Sequence, residues 1–176
     1  GGVCPREWRD RLLQLIFTLA RGGSLAPAAN DVLWSGLENP DPVQCTAREI
    51  LGLAEEQLAL GNCIKAAAFL SSLSGLGPGL TPAGDDFLLG VLAVCSHWPK
   101  GVPPNFTEEL IRAMEARAGQ RTWLSAALLN CARSGEFSSA IRDILMAEDS
   151  RSLARAVAMG AAWGHTSGSD TLGGIL

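Results

Sequence analysis

An all-α fold follows from three observations. Apolar residues recur at three- and four-residue spacing along most of the chain, no run alternates apolar with polar residues, and two glycine-rich stretches alone interrupt the helical pattern. Trp8, Leu12, Leu15, Ile16 and Leu19 mark a first helix that should stop at Gly22 and Gly23. From Leu25 to Val43, Pro27, Pro40 and Pro42 mix with Asn30, Asp31, Asn39 and Asp41 without a period, so a long loop is predicted. Thr46 and Glu49 have capping-box spacing and should open the next helix, with Ile50, Leu53, Ala54 and Leu58 on its buried face, up to Gly61 and Asn62. Ile64 to Leu73 predicts a further helix, rich in Ala and Ser. Asn105 and Glu108 repeat the capping spacing before Leu110, Ile111, Met114 and Ala118, and helical runs follow over 122–132, 138–146 and 150–163.

The 176 residues make one compact α-helical domain, 1–176, with 47% apolar residues and 18% charged ones. A net charge of −4 and a pI near 5.2 argue against nucleic acid and anionic membrane as partners. The longest uncharged run, Ala66 to Gly84, contains Gly75, Gly77, Pro78, Gly79 and Pro82, so it reads as loop and helix ends and not as a membrane span. The start lacks a basic region followed by an apolar one and lacks Met, so it reads as a scar or an internal boundary. Five cysteines without CxxC spacing suggest reduced thiols in a cytoplasmic protein. Low charge and many small residues suggest that part of the surface is covered by another chain.

The two interruptions are related. Gly79, Thr81, Gly84, Asp86, Leu88, Gly90 and Leu92 align with Gly164, Thr166, Gly168, Asp170, Leu172, Gly174 and Leu176 once Pro82 is skipped, seven identities in thirteen positions. This is an internal repeat of two loop-to-helix units that should face each other across one cleft. Thr81 before Pro82 predicts a helix starting at Pro82 with Thr81 as its cap. Gly77, Gly79 and Gly84 leave backbone N–H groups open at a helix N-terminus, which suits a small anion or a carbonyl. No Gly-Lys-Ser/Thr follows and no strand precedes, so neither a Walker loop nor a dinucleotide fingerprint is present. The structural alternative is that the aspartates complement helix dipoles and the glycines permit tight packing.

The strings GLGPGLTPAGDDFLLG, RTWLSAALLNCARSG from Arg121 and GHTSGSDTLGGIL from Gly164 together resemble a bacterial family long catalogued as a domain of unknown function, over about residues 45–176. One member of that family is a subunit of the oxamate carbamoyltransferase of anaerobic allantoin breakdown. Family members carry a further N-terminal portion, so the chain is expected to be a C-terminal fragment of a longer member. The resemblance implies carbamoyl transfer between phosphate and the nitrogen of oxamate, small anionic substrates and additional protein subunits; the alternative is a non-catalytic assembly or anion-binding subunit.

Under this reading Asp85, Asp86 and Asp170 accept an amide N–H or take its proton, and His165 donates to a developing oxyanion. Arg121 and Thr122 are expected to clamp phosphate. Gly77, Gly79, Thr81 and Gly84 from one loop, and Thr166, Ser167 and Gly168 from the other, are expected to bind substrate. His97, beside Trp98 at a helix end, is read as structural. Nothing near the aspartates completes a metal-ligand pattern, and no cofactor is expected.

Overall fold

The computed structural model describes residues 2–19 and 22–176, and every regular element among them is helical. The helices are α1 Arg6–Leu19, α2 Asp31–Ser35, α3 Pro42–Ala59, α4 Cys63–Ser71, α5 Ala83–His97, α6 Phe106–Glu115, α7 Trp123–Arg133, α8 Ser139–Leu145, α9 Ser150–Ala161 and α10 Ser167–Ile175, with 3-10 turns at 26–29, 99–101 and 118–120. None is long and apolar enough to cross a membrane. The five cysteines are unpaired.

Three helix starts outside the two glycine-rich loops differ from the sequence expectation. Within the predicted loop 25–43, the Asn30 side chain accepts the Val32 N–H at 2.9 Å and starts the short α2. Five residues are too few to display a helical period, so only the cap signals this helix. α3 starts at Pro42 and not at Thr46, because Asp41 and Gln44 form the capping box and Pro42 fills the first helical position. Thr46 then lies inside the helix with its hydroxyl on the Pro42 carbonyl. Before α6, Asn105 takes a left-handed conformation (φ 65°) and makes no side-chain cap.

α5 and α10 are the centre of the molecule. α5 is buried continuously from Ala83 to Gly90, and α10 from Gly168 to Gly173. They pack on each other, with α7 and α8 against α5, and with α9, α1 and the 26–29 turn against α10. The α5–α10 contact is made by backbone. A Cβ on Gly90 would fall on the Thr171 carbonyl oxygen, and a Cβ on Gly174 would fall on that of Phe87. Each glycine is the eighth residue of its helix, so the two helices cross at matched depth from their N-termini.

Gly174→Ala is therefore expected to cost about 3 kcal/mol or more, since two backbones must separate to admit one methyl group. Gly52→Ala, at an exposed α3 position whose added Cβ meets nothing within 4 Å, should stabilise by about 0.5–1 kcal/mol. Urea unfolding of both variants checks this pair of opposite signs.

Candidate functional site

The loops that precede α5 and α10 meet. The Thr81 hydroxyl lies 3.0 Å from that of Ser167, and both bond the Asp86 carboxyl. Asp86 and Asp170 are each the fourth residue of their helices and are 2% and 0% exposed. Thr166 bonds Asp170, whose Oδ1 also accepts the Leu25 N–H at 2.6 Å. This last bond ties the 24–29 segment to α10, and Gly173 lets Ala26 pack directly on the helix.

Burial dominates the chemistry of these carboxyls. It pushes Asp86 up to about 6, against the two hydroxyl bonds and with help from the charge of Asp85. It pushes Asp170 up to about 7, against Leu25 and Thr166 and with help from the charge of Asp86. Oδ2 of each is buried without a hydrogen-bond partner, as is Oδ2 of Asp85. A protonated oxygen there carries no charge to solvate, so both carboxyls hold a proton to higher pH than an ordinary aspartate, Asp170 further than Asp86.

Asp85 faces elsewhere. Its Oδ1 accepts the Gly75 N–H at 3.2 Å and lies 3.6 Å from Nε of Arg121, with the Ser125 side chain facing it from α7. Burial still raises Asp85 above its ordinary value. Arg121 is almost wholly enclosed, giving hydrogen bonds to the Ser74 hydroxyl at 2.9 Å and the Met114 carbonyl at 2.7 Å. This pair fastens the start of the first loop to the entry of α7. Thr122 fastens its other end, because its hydroxyl donates to the Leu80 carbonyl while capping α7 through the Ser125 N–H.

The glycines divide into two kinds. Gly77 (φ 100°), Gly79 (φ 107°) and Gly164 (φ 64°) need left-handed backbone. Gly84 and Gly168 need proximity: added Cβ atoms would fall on the Leu73 and Gly160 carbonyls. Their N–H groups donate to the Leu76 and Trp163 carbonyls at 2.9 and 3.1 Å, so the preceding loops occupy the positions expected for a ligand. Thr81 does not cap α5. That place belongs to Pro82, leaving the Thr81 hydroxyl for Ser167 and Asp86. Pro78, Gly79 and Leu80 are exposed at one loop tip, and Gly164 and His165 at the other. His97 stacks edge-on against Trp98, 4.8 Å between ring centres, away from the loops.

Sequence reasoning missed Ser74, Ser125 and Leu25. Ser125 had a signal, since it stands three residues after the capping Thr122 on the helix face that meets Asp85. Leu25 had none, because its contribution is a backbone N–H held 145 residues away in sequence.

A family model described as oxamate carbamoyltransferase subunit AllH matches residues 73–176, a stretch containing both loops, Arg121 and the three aspartates. The match begins later than residue 45. No curated protein and no solved structure matches the chain.

The raised carboxyls fix a pH dependence. Their contribution to stability is complete below the ordinary aspartate value of 3.8 and is lost as pH rises through about 6 for Asp86 and about 7 for Asp170. Asp170→Asn keeps the acceptor for Leu25 and removes the titration. Its melting temperature should therefore rise relative to wild type between about pH 4 and about pH 7 and level off above that. A difference that stays constant across that range would mean that Asp170 is charged throughout.

Proposed function

The chain belongs to the family of the oxamate carbamoyltransferase subunit AllH, and from that membership we propose that it supplies the paired loops of a site for carbamoyl transfer between phosphate and the nitrogen of oxamate. The observation that carries this reading is the convergence of two helix N-termini, each with a buried, readily protonated aspartate in its first turn, at the 3.0 Å contact of Thr81 and Ser167. In the phosphorolytic direction a phosphate oxygen bonds the carbamoyl carbon, the bond from that carbon to the oxamate nitrogen breaks, and the nitrogen takes up a proton. In this reading Asp86, through the Thr81 and Ser167 hydroxyls, supplies that proton and in reverse accepts it.

The raised carboxyls also remove an electrostatic objection. Ionised aspartates would repel phosphate and oxamate, whereas carboxyls raised towards neutrality carry less of that charge, which favours the helix N-termini as the local field. The loop tips, Gly77 to Leu80 and Gly164 to Thr166, are then the substrate-facing parts, with His165 at the oxyanion and Thr122 holding the first tip in place. Asp85 and Arg121 act as positioning residues beneath it.

The two units are read as copies of one loop-helix element. Leu76 and Trp163 accept equivalent bonds from Gly84 and Gly168, Thr81 and Thr166 each bond the aspartate of their own helix, and Gly90 and Gly174 make reciprocal contacts. In this register Gly164 corresponds to Gly77, so three residues separate the loop lengths where the sequence alignment had one.

A second reading, a non-catalytic assembly subunit, is favoured by the enclosure of both aspartates. Asp86→Asn separates the two. In a reconstituted complex the catalytic reading expects phosphate-dependent breakdown of oxalurate to fall by about 100-fold or more, with assembly preserved and the melting temperature not lowered. Unchanged turnover in that complex selects the assembly role.

A further inference from the structure

Resting on the paired loops as a site for carbamoyl transfer, we propose that Gln44 is a positioning residue for that reaction, holding the Asp170 carboxyl through the single peptide unit that joins Ser24 to Leu25. The carbonyl of that unit accepts from Gln44 Nε2 at 2.8 Å, and its N–H donates to Asp170 Oδ1 at 2.6 Å. One rigid, planar amide therefore has its oxygen on α3 and its hydrogen on α10. The two bonds reinforce each other, because a donor on the carbonyl oxygen draws charge through the amide and makes its N–H a stronger donor.

The orientation of the Gln44 amide follows from its partners. Its Oε1 accepts the Asp41 N–H at 3.0 Å, and a backbone N–H only donates, so Nε2 is the atom turned to Ser24. A capping box takes Glu or Gln at this position. An ionised glutamate would complete the box and bring no donor to Ser24, so the cap alone does not call for an amide. Gln44 is 3% exposed, and a polar side chain so enclosed is held by its bonds. One turn further along α3, Nη1 of Arg48 donates to the Ala28 carbonyl at 3.0 Å. The helix thus grips the 24–28 segment at both ends, while Gly173 admits Ala26 against α10 between them. Leu25, Ala26 and Ala28 are fully buried, so the segment carries the position of α3 to the carboxyl. The Leu25 bond favours the charged form of Asp170, in the same sense as the Thr166 bond and against burial and the charge of Asp86 on α5. Weakening it raises the proton affinity of Asp170.

The test is nuclear magnetic resonance on the full, isotopically labelled chain. In the wild type, through-bond couplings should join the Leu25 amide nitrogen to the Asp170 carboxyl carbon and the Gln44 side-chain nitrogen to the Ser24 carbonyl carbon. Absence of either overturns the proposal without any variant. In Gln44→Met, similar in size and without the donor, the Leu25 amide proton should move upfield and the Asp170 titration midpoint should rise by about 0.3 pH unit or more. Asp41→Ala removes the carboxylate that caps α3 and leaves Gln44 its backbone partner. It should lower the melting temperature and move neither signal. Unchanged signals in Gln44→Met, or equal movement in Asp41→Ala, overturn the proposal, since a merely structural glutamine behaves that way. In a reconstituted complex of Gln44→Met, the pH profile of phosphate-dependent oxalurate breakdown should move upward with the Asp170 midpoint. A profile that stays in place while the midpoint moves overturns the reading of the paired loops as the site, and with it the role of Gln44; a midpoint that stays in place overturns the role of Gln44 alone.

Discussion

The structure depends on one contact, the direct approach of the α5 and α10 backbones at Gly90 and Gly174. Because each glycine stands at the same depth in its helix, and the aspartates stand four residues nearer the start, the crossing places Asp86 and Asp170 about 6 Å along the axes from one point. Both helix N-termini therefore open at the same end of the molecule. The Thr81–Ser167 contact is the visible result. A crossing padded by ordinary side chains would hold the axes farther apart and separate the two loops.

The same closeness gives the aspartates their character. An exposed aspartate in a first helical turn is stabilised as an anion by the helix dipole. Here burial outweighs that term, and the local donors, two hydroxyls for Asp86 and one N–H with one hydroxyl for Asp170, only partly offset it. Asp85, one residue away, meets a different environment because its neighbour is a guanidinium. Adjacent positions of one helix thus hold a structural ion-pair member and a proton-holding acid.

Much of the architecture was legible in the sequence, for a physical reason. Long helices with one buried face, such as α1, α7 and α9, impose a period that survives in the residue order. Short α2 and the true start of α3 were misread because single caps decide them, and Asp41 beside Pro42 resembles a turn as closely as it resembles a helix start. Within the candidate site, Thr81 meets Ser167, the neighbour of the Thr166 with which the internal alignment pairs it, and both hydroxyls reach Asp86. The purpose of Gly84 and Gly168 was not readable. A glycine in a sequence announces that a side chain is absent, while only the fold reveals whether a ligand or a neighbouring carbonyl fills the space. The inward turn of Arg121 was hidden likewise, since Ser74 and Met114 reach it through tertiary packing alone.

The two loops that meet are 86 residues apart in sequence. During synthesis at about 5–20 residues per second, α5 leaves the ribosome roughly 4–17 s before α10 is available to cover its glycine face. Loop closure over that span is a modest entropic cost, but the waiting time is long beside the microseconds in which helices form and chains collapse. Until α10 follows, a nascent α5 thus leaves its apolar face and the backbone at Gly90 uncovered. Correct assembly of this domain is in that sense a problem of timing.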